Sequence, residues 1–201
     1  MAGRPLGRDA RRRQMRSVVV ELLGEHGFHG FGMRDVAARS RQSVANVYHH
    51  VADKEELVHA ALVELLEGAL ATAEATLAVR GARERLRALC TDHVTRLVET
   101  PAEAPIWRGA WPPLREAQRR RLAALRTRYI AMLQAHVDEL CGRQGRRRAA
   151  DERRVLLLLA LLEGAAAPLE RGATPARIAR GAQEALALFL EGALPRTRSR
   201  G

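Results

Sequence analysis

Apolar residues recur every three or four positions along most of this chain, and few runs alternate as strands do. Met15, Val18, Val19, Leu22 and Leu23 form a first helical stripe, which Gly27 is placed to terminate. Two short helices are predicted next. One runs from about Met33 to Ser40 with Val36 and Ala37 inward, and the other opens at Ser43, a hydroxyl residue of the N-cap class, and carries Val44 to His49. From Lys54 a longer stripe follows: Leu57, Ala61, Leu62, Leu65, Leu66, Ala69, Leu70, Ala73 and Leu77. It predicts a helix to about Val79, ended by Gly81, that leaves the first unit and enters the rest of the chain as a coupling rod.

A fifth helix is predicted from about Ala82 to Thr100, with Leu86, Cys90, His93 and Leu97 on one face. Pro101 to Pro105 interrupts the pattern, a short helical piece carries Ile106, Trp107 and Trp111, and Pro112-Pro113 stops it. A long helix from about Leu114 to Cys141 offers Leu122, Leu125, Tyr129, Met132, Leu133, His136 and Leu140. Two last helices, from about Asp151 to Glu170 and Pro175 to Glu191, differ in kind. Val155 to Leu162 is apolar on every side, so more than one of its faces needs a cover, whereas Ile178, Ala182, Ala185, Leu186, Phe189 and Leu190 make one stripe. Two such helices from each of two subunits would form a four-helix dimer interface. The fold class expected is all-α.

Composition adds little to this. The 201 residues suffice for a sizeable core in one or two domains. The formal net charge of +11 favours a polyanionic partner, but residues 1–57 hold ten basic against seven acidic side chains, so most of the excess lies elsewhere. Lys54 is the single lysine beside 33 arginines, a bias in keeping with genome composition, and a solvated arginine-rich surface accounts for the charge equally well. Two cysteines, Cys90 and Cys141, are too few for a disulfide framework and suggest a reducing compartment. No apolar segment of signal-peptide type follows Arg13, and Val155 to Leu162 is too short to span a bilayer, so a cytoplasmic protein without membrane association is expected. Met1 to Arg13 reads as a flexible basic arm, suited to phosphates or a minor groove or simply a solubilising tail, and Pro195 to Gly201 as a basic, disordered tail.

The order of residue types between Gly27 and Leu57 is more specific. Gly27-Phe28 closes the first helix, Met33-Arg34-Asp35-Val36-Ala37 opens the second, Ser43 opens the third, Tyr48 stands near its end, and Asp53-Lys54-Glu55-Glu56-Leu57 begins the fourth. In this order and spacing the segment resembles the DNA-binding domain of the TetR family of transcriptional regulators. The likeness covers about the first quarter of the chain. It implies a helix-turn-helix domain, here residues 1–56, followed by an effector-binding and dimerisation domain, residues 57–201, and no enzymatic activity. Arg41-Gln42 stands where the family has Gly-Val, Gly32 where it has a Ser or Thr cap, and Val51 where it has Phe. A left-handed Arg41 would cost about 1 kcal/mol relative to glycine, and Gly32 lacks a hydroxyl that could hold a phosphate.

The DNA-contacting candidates are Arg34, Arg41, Gln42, Ser43, Val44, Asn46, Tyr48, His49, His50 and Lys54. Asn46 suits an adenine edge and Val44 a thymine methyl. By resemblance, Tyr48, His50 and Lys54 would hold phosphates. For a small apolar or amphipathic effector the candidates are His93, Leu97, Trp107, Trp111, Tyr129, Met132 and His136, polar and aromatic groups on apolar faces, each of which also suits an ordinary core. No cofactor is expected: Cys90 and His93 lack further metal ligands at a suitable spacing, and no nucleophile elbow, phosphate loop or carboxylate pair stands out. The reading is a homodimeric repressor released from a near-palindromic operator by its effector. Two alternatives stay open: a helical enzyme or small-molecule carrier whose first helices are structural, and an activator or architectural DNA binder without an effector.

Overall fold

The computed structural model describes residues 8–141 and 149–193, and for residues 8, 9, 50, 149–152 and 193 the backbone alone. Arg4 of the basic arm, the arginines at 146–148, the tail from Pro195 and the His50 side chain therefore lie outside the described residues.

The described chain is helical and has no strand: α1 (Arg8–His26), α2 (Met33–Arg39), α3 (Val44–His50), α4 (Lys54–Ala75), α5 (Ala82–Glu99), α6 (Ala104–Trp107), α7 (Glu116–Leu140), α8 (Ala149–Ala166) and α9 (Pro175–Ala193). Two 3-10 turns, Thr76–Ala78 and Pro101–Glu103, follow α4 and precede α6. Among the described residues no helix is long and apolar enough to cross a membrane.

The stripes read from the sequence are the buried faces. In the first three helices Met15, Val18, Val19, Leu22, Met33, Val36, Ala37 and Val47 meet the start of α4 at Leu57, Val58 and Ala61. Leu86, Cys90, His93 and Leu97 of α5 face Leu122, Leu125, Tyr129 and Leu133 of α7, and all are buried. At about 25 cal/mol per Å² of apolar area removed from water, this continuous cluster is the main source of stability.

Two expectations need correction. Arg8 to Arg13 forms the first turns of α1, so the helix begins earlier than about Met15 and the arm is correspondingly shorter. The stripe of α4 ends at Ala75. The chain tightens there into a 3-10 turn, where Thr76 Oγ1 donates to Ala73 O, and Leu77 is exposed. Within one chain the last helices leave apolar groups uncovered, in line with the need for a further cover: Leu157, Leu161 and Leu188 face outward from α8 and α9.

Long polar contacts tie α4 to α7. Arg115 just before α7 meets Asp53 at 2.5 Å, Arg121 meets Glu67 at 2.8 Å, and Arg128 meets Glu74 at 3.4 Å. Of the three arginines at 119–121, Arg119 and Arg120 pair with Glu116 of their own helix and Arg121 spans to α4. These pairs are exposed to solvent and therefore weak, so they set register more than stability.

Candidate functional site

The α2–α3 pair begins with a cap that has no hydroxyl. Gly32 takes an extended conformation, and its backbone N–H donates to Asp35 Oδ2 at 2.7 Å, so the carboxylate supplies the first-turn acceptor. At the turn, Arg41 has φ +55°, the left-handed conformation that a glycine would take without strain. Gln42 N–H closes it onto Ala37 O at 2.9 Å, and the buried Ser40 Oγ donates to Val36 O at 2.6 Å. Ser43 then caps α3, its Oγ accepting from Asn46 N–H at 3.1 Å.

Among the described side chains of α3, only Val47 is fully enclosed. Val44 is 37% and Tyr48 52% exposed, and Ser43, Ala45 and His49 also face outward, as do Arg34 on α2 and Arg41 in the turn. The helix is thus pinned by one side chain and its capped start, and presents the remainder. Val44 and Tyr48, one turn apart, form an exposed apolar and aromatic edge that packing inside this chain does not use.

Three candidates, Gln42, Asn46 and Lys54, differ from expectation. Asn46 Nδ2 donates to Gln42 Oε1 at 2.6 Å, and Gln42 Nε2 donates to Arg11 O at 3.2 Å. Both amides are half-buried and brace α3 against α1, so Asn46 does not stand ready for an adenine edge. Lys54 departs further from a phosphate role. Its ammonium donates to the backbone carbonyls of Phe28 and Phe31 and lies 4.7 Å and 4.1 Å from the centroids of their rings. Burial lowers its pKa, with Asp35 opposing. Lys54 fastens the α1–α2 loop to the start of α4.

The effector candidates separate into two groups. His93, Leu97 and Trp107 line a cleft of about 230 Å³ between α5, α6, α7 and α8. Tyr129 stands behind it: its hydroxyl lies 3.2 Å from His93 Nδ1, and its ring packs 4.6 Å from Trp107 and 5.8 Å from His93. Trp111, Met132 and His136 do not line the cleft. His136 is buried near Arg85 and Glu139, with its pKa lowered by burial, and Trp111 and Met132 pack partly buried against the core. Leu156, Leu159 and Ala160 of α8, with Ala104, complete the apolar wall. Arg108, Arg126 and Glu163 give the cleft its charge. Arg108 pairs with Glu163, and Arg126 Nε donates to Trp107 O at 2.7 Å. No signal in an arginine-rich sequence singles out those last three.

Burial favours the neutral forms of the titratable groups His93, Glu103 and Cys90 in and behind the cleft. Burial, aided by Arg96, pushes the His93 imidazole down to about 3. Burial raises Glu103, on the turn before α6, to about 7 against the opposing hydrogen bond from Trp107 Nε1 at 3.2 Å. The buried Cys90 thiol is pushed up to about 12, which makes it an unreactive core group. Among the described residues no three His, Cys, Asp or Glu side chains gather as metal ligands would.

Known proteins share this geometry. Residues 17–61 match the family model of bacterial regulatory proteins, tetR family. No curated protein matches the chain. Among solved structures, a TetR-family transcriptional regulator from Bordetella parapertussis 12822 superposes with a TM-score of 0.75 at 16% identity, over 90% of this chain and 94% of that one. AibR, solved in complex with isovaleryl coenzyme A and operator DNA, gives 0.67 at 21% identity over 89% of this chain and 98% of that one. FadR from Bacillus subtilis, in complex with stearoyl-CoA, gives 0.65 at 15% identity over 89% of this chain and 97% of that one. At these identities the likeness shows a shared fold.

Proposed function

We propose that this chain is a TetR-family regulator, as the match of residues 17–61 to the tetR family model supports, and a homodimeric repressor released from a near-palindromic operator by a small effector. The observation that carries this reading is the outward edge of α3. A seven-residue helix, capped by Ser43 and anchored by Val47, exposes Val44, Tyr48 and His49 instead of burying them. In this reading residues 1–56 form the DNA-binding domain and 57–201 the effector and dimerisation domain. Val44 and Ser43 enter a major groove, Tyr48 and Arg41 meet its rim, and Arg34 meets phosphate. Lys54, Gln42 and Asn46 act one layer behind, as braces.

The α8–α9 face supports the pairing. Leu161 and Leu188 border a shallow depression of about 500 Å³ with Gly164, Ala165 and Gly181, small residues that permit close helix approach. A second copy would bring two α3 helices about 34–36 Å apart, on successive major grooves. The cleft beside Trp107 then serves as the effector site. AibR and FadR were solved with acyl-coenzyme A ligands, which supports a helical body able to house an apolar group. An effector releases DNA only if it prefers the non-binding state, and a coupling of about 1–3 kcal/mol gives a 5- to 150-fold loss of affinity.

The test is titration of the intergenic DNA beside its own gene, monitored by anisotropy at several salt concentrations. Sequence-specific binding by a dimer is expected, weakened by Tyr48→Ala without loss of folding. A well-folded dimer with equal affinity for scrambled DNA would refute the reading.

A further inference from the structure

One polar group of the cleft wall has hydrogen bonding that can be worked out from its partner. Tyr129 is 1% exposed, and its hydroxyl contacts His93 Nδ1. A buried hydroxyl proton left undonated costs about 1–3 kcal/mol, so it points to Nδ1. Nδ1 is then the acceptor, and a neutral imidazole carries its own proton on Nε2. The burial that keeps this ring uncharged fixes the choice. Nε2–H is then the ring donor that Tyr129 leaves for another partner, on a residue that lines the cleft.

The neighbouring polar groups each have a partner. Trp107 Nε1 donates to Glu103, Arg126 Nε to Trp107 O, and Arg108 is paired with Glu163. The walls are otherwise aliphatic or aromatic, with Leu97, Leu156 and Leu159 among them. At roughly 30 Å³ per water-sized group, 230 Å³ admits about eight such groups. This is below the ~300–1,000 Å³ of sites for drug-sized ligands.

We propose that the effector cleft takes a small, uncharged carbonyl compound, its apolar body against Trp107 and Leu159 and its oxygen accepting from His93 Nε2–H. The inference rests on the reading of this cleft as the effector site and narrows it to a chemical class. A carboxylate seated against His93 finds no cation in the neutral imidazole, and Arg108 is paired with Glu163, so Arg126 is the cation it would have to reach and the carboxylate probe tests that route. A pure hydrocarbon is disfavoured because it leaves the Nε2–H unpaired.

Three probes of equal heavy-atom count separate these cases: cyclohexyl methyl ketone, isopropylcyclohexane and cyclohexanecarboxylate. Binding is followed on the full-length Trp111→Phe variant, in which Trp107 is the sole indole. The ketone is expected to bind roughly tenfold more tightly than the hydrocarbon, and the carboxylate more weakly than the ketone. His93→Phe should erase the ketone's advantage and leave hydrocarbon binding. Nitrogen NMR of histidine-labelled native protein provides a measurement that needs no substitution at His93: the Nε2–H tautomer is expected, with its proton shifted by the ketone. An Nδ1–H tautomer, equal affinity for ketone and hydrocarbon, tighter carboxylate binding, or no binding of any probe each overturns the proposal. Operator titration without probes is run in parallel, so that failure to bind DNA counts against the repressor reading and failure of the ketone against this one.

Discussion

Trp107 Nε1 donates to Glu103 Oε2 across 3.2 Å, and this bond joins the wall of the cleft beside Trp107 to the turn that touches α1. On that turn Ala102 lies against Gly24 so closely that a Cβ at Gly24 would stand 3.0 Å from the Ala102 Cα and nearer still to its Cβ. A short path therefore runs from the cleft to α1, the helix against which α2 packs. Gly24→Ala is expected to force α1 and the turn apart, lowering stability by about 1–3 kcal/mol. It should also change operator affinity while leaving probe binding at the cleft within about twofold. Thermal unfolding, operator titration and Trp107 fluorescence measure the three effects separately. If cleft affinity falls with operator affinity intact, the path does not run through this contact.

Protonation at the same bond gives a second expectation. Glu103 is raised from 4.5 to about 7 in the fold, so its contribution is fully present below pH 4.5 and is lost as pH rises through about 7. His93 is lowered from 6.5 to about 3, so its contribution is present above pH 6.5 and is lost as pH falls through about 3. Between pH 4.5 and 6.5 the two slopes oppose: folding places a proton on Glu103 and removes one from His93. The charged groups around Glu103 are Arg96, Asp92 and Glu99 of α5 and, in the same hollow, Arg13, Arg16 and Glu64. Glu103→Gln keeps the neutral form at every pH. Relative to the native protein it is expected to be near-neutral at pH 4.5 and more stable by about 2–3 kcal/mol at pH 8, since each tenfold change in proton affinity is worth about 1.4 kcal/mol. Urea midpoints across that range check it, and a variant equally offset at both pH values would reject it.

Lys54 provides a third. Its ammonium holds two loop carbonyls and packs over two aromatic rings, contacts that belong to the fold. Lys54→Met keeps the stem and loses the donors, and should cost about 1.5–3 kcal/mol of stability. If the residue braces and does not touch phosphate, the slope of log affinity against log salt is unchanged once folding is ensured. Removal of a phosphate contact would instead reduce that slope by about one. Tyr48→Ala, at a 52% exposed site, should behave oppositely: stability within about 0.5 kcal/mol of native, with weakened operator binding.

These residues show what the sequence could reveal. Helical spacing placed Leu86, Cys90, His93 and Leu97 on one buried face and predicted the ends of most helices within a few positions, because burial follows the 3.6-residue period. Periodicity gives a face but not a height along it. His136 follows Tyr129 by two turns, roughly 10 Å along α7, and so reaches Arg85 and not the cleft. The cleft's Arg108, Arg126 and Glu163 converge from separate elements, a juxtaposition that no local pattern records. Lys54 had one available signal: it is the sole lysine among 33 arginines, at a position where a compact ammonium and not a planar guanidinium fits between two carbonyls.

The last expectation concerns the outer leucines. Leu157 and Leu188 are each 62% exposed and Leu161 is 37% exposed, on helices whose opposite faces already fill the core with Leu158, Leu162, Leu186 and Phe189. A solvent-facing leucine is ordinary by itself, but three on adjoining helices beside Gly164 and Gly181 form a patch suited to a second copy. Replacing Leu161 and Leu188 together by Glu adds like charges on both sides of a two-fold contact, so each substitution acts twice in the dimer. Sedimentation is expected to shift from dimer to monomer at micromolar concentration, with helical content retained because neither side chain belongs to the fully buried core. Operator affinity should fall by more than tenfold, since a monomer holds one α3 and forfeits the effective concentration that the second half-site gains from the first. Retention of the dimer with both glutamates in place would locate the subunit contact elsewhere on the molecule.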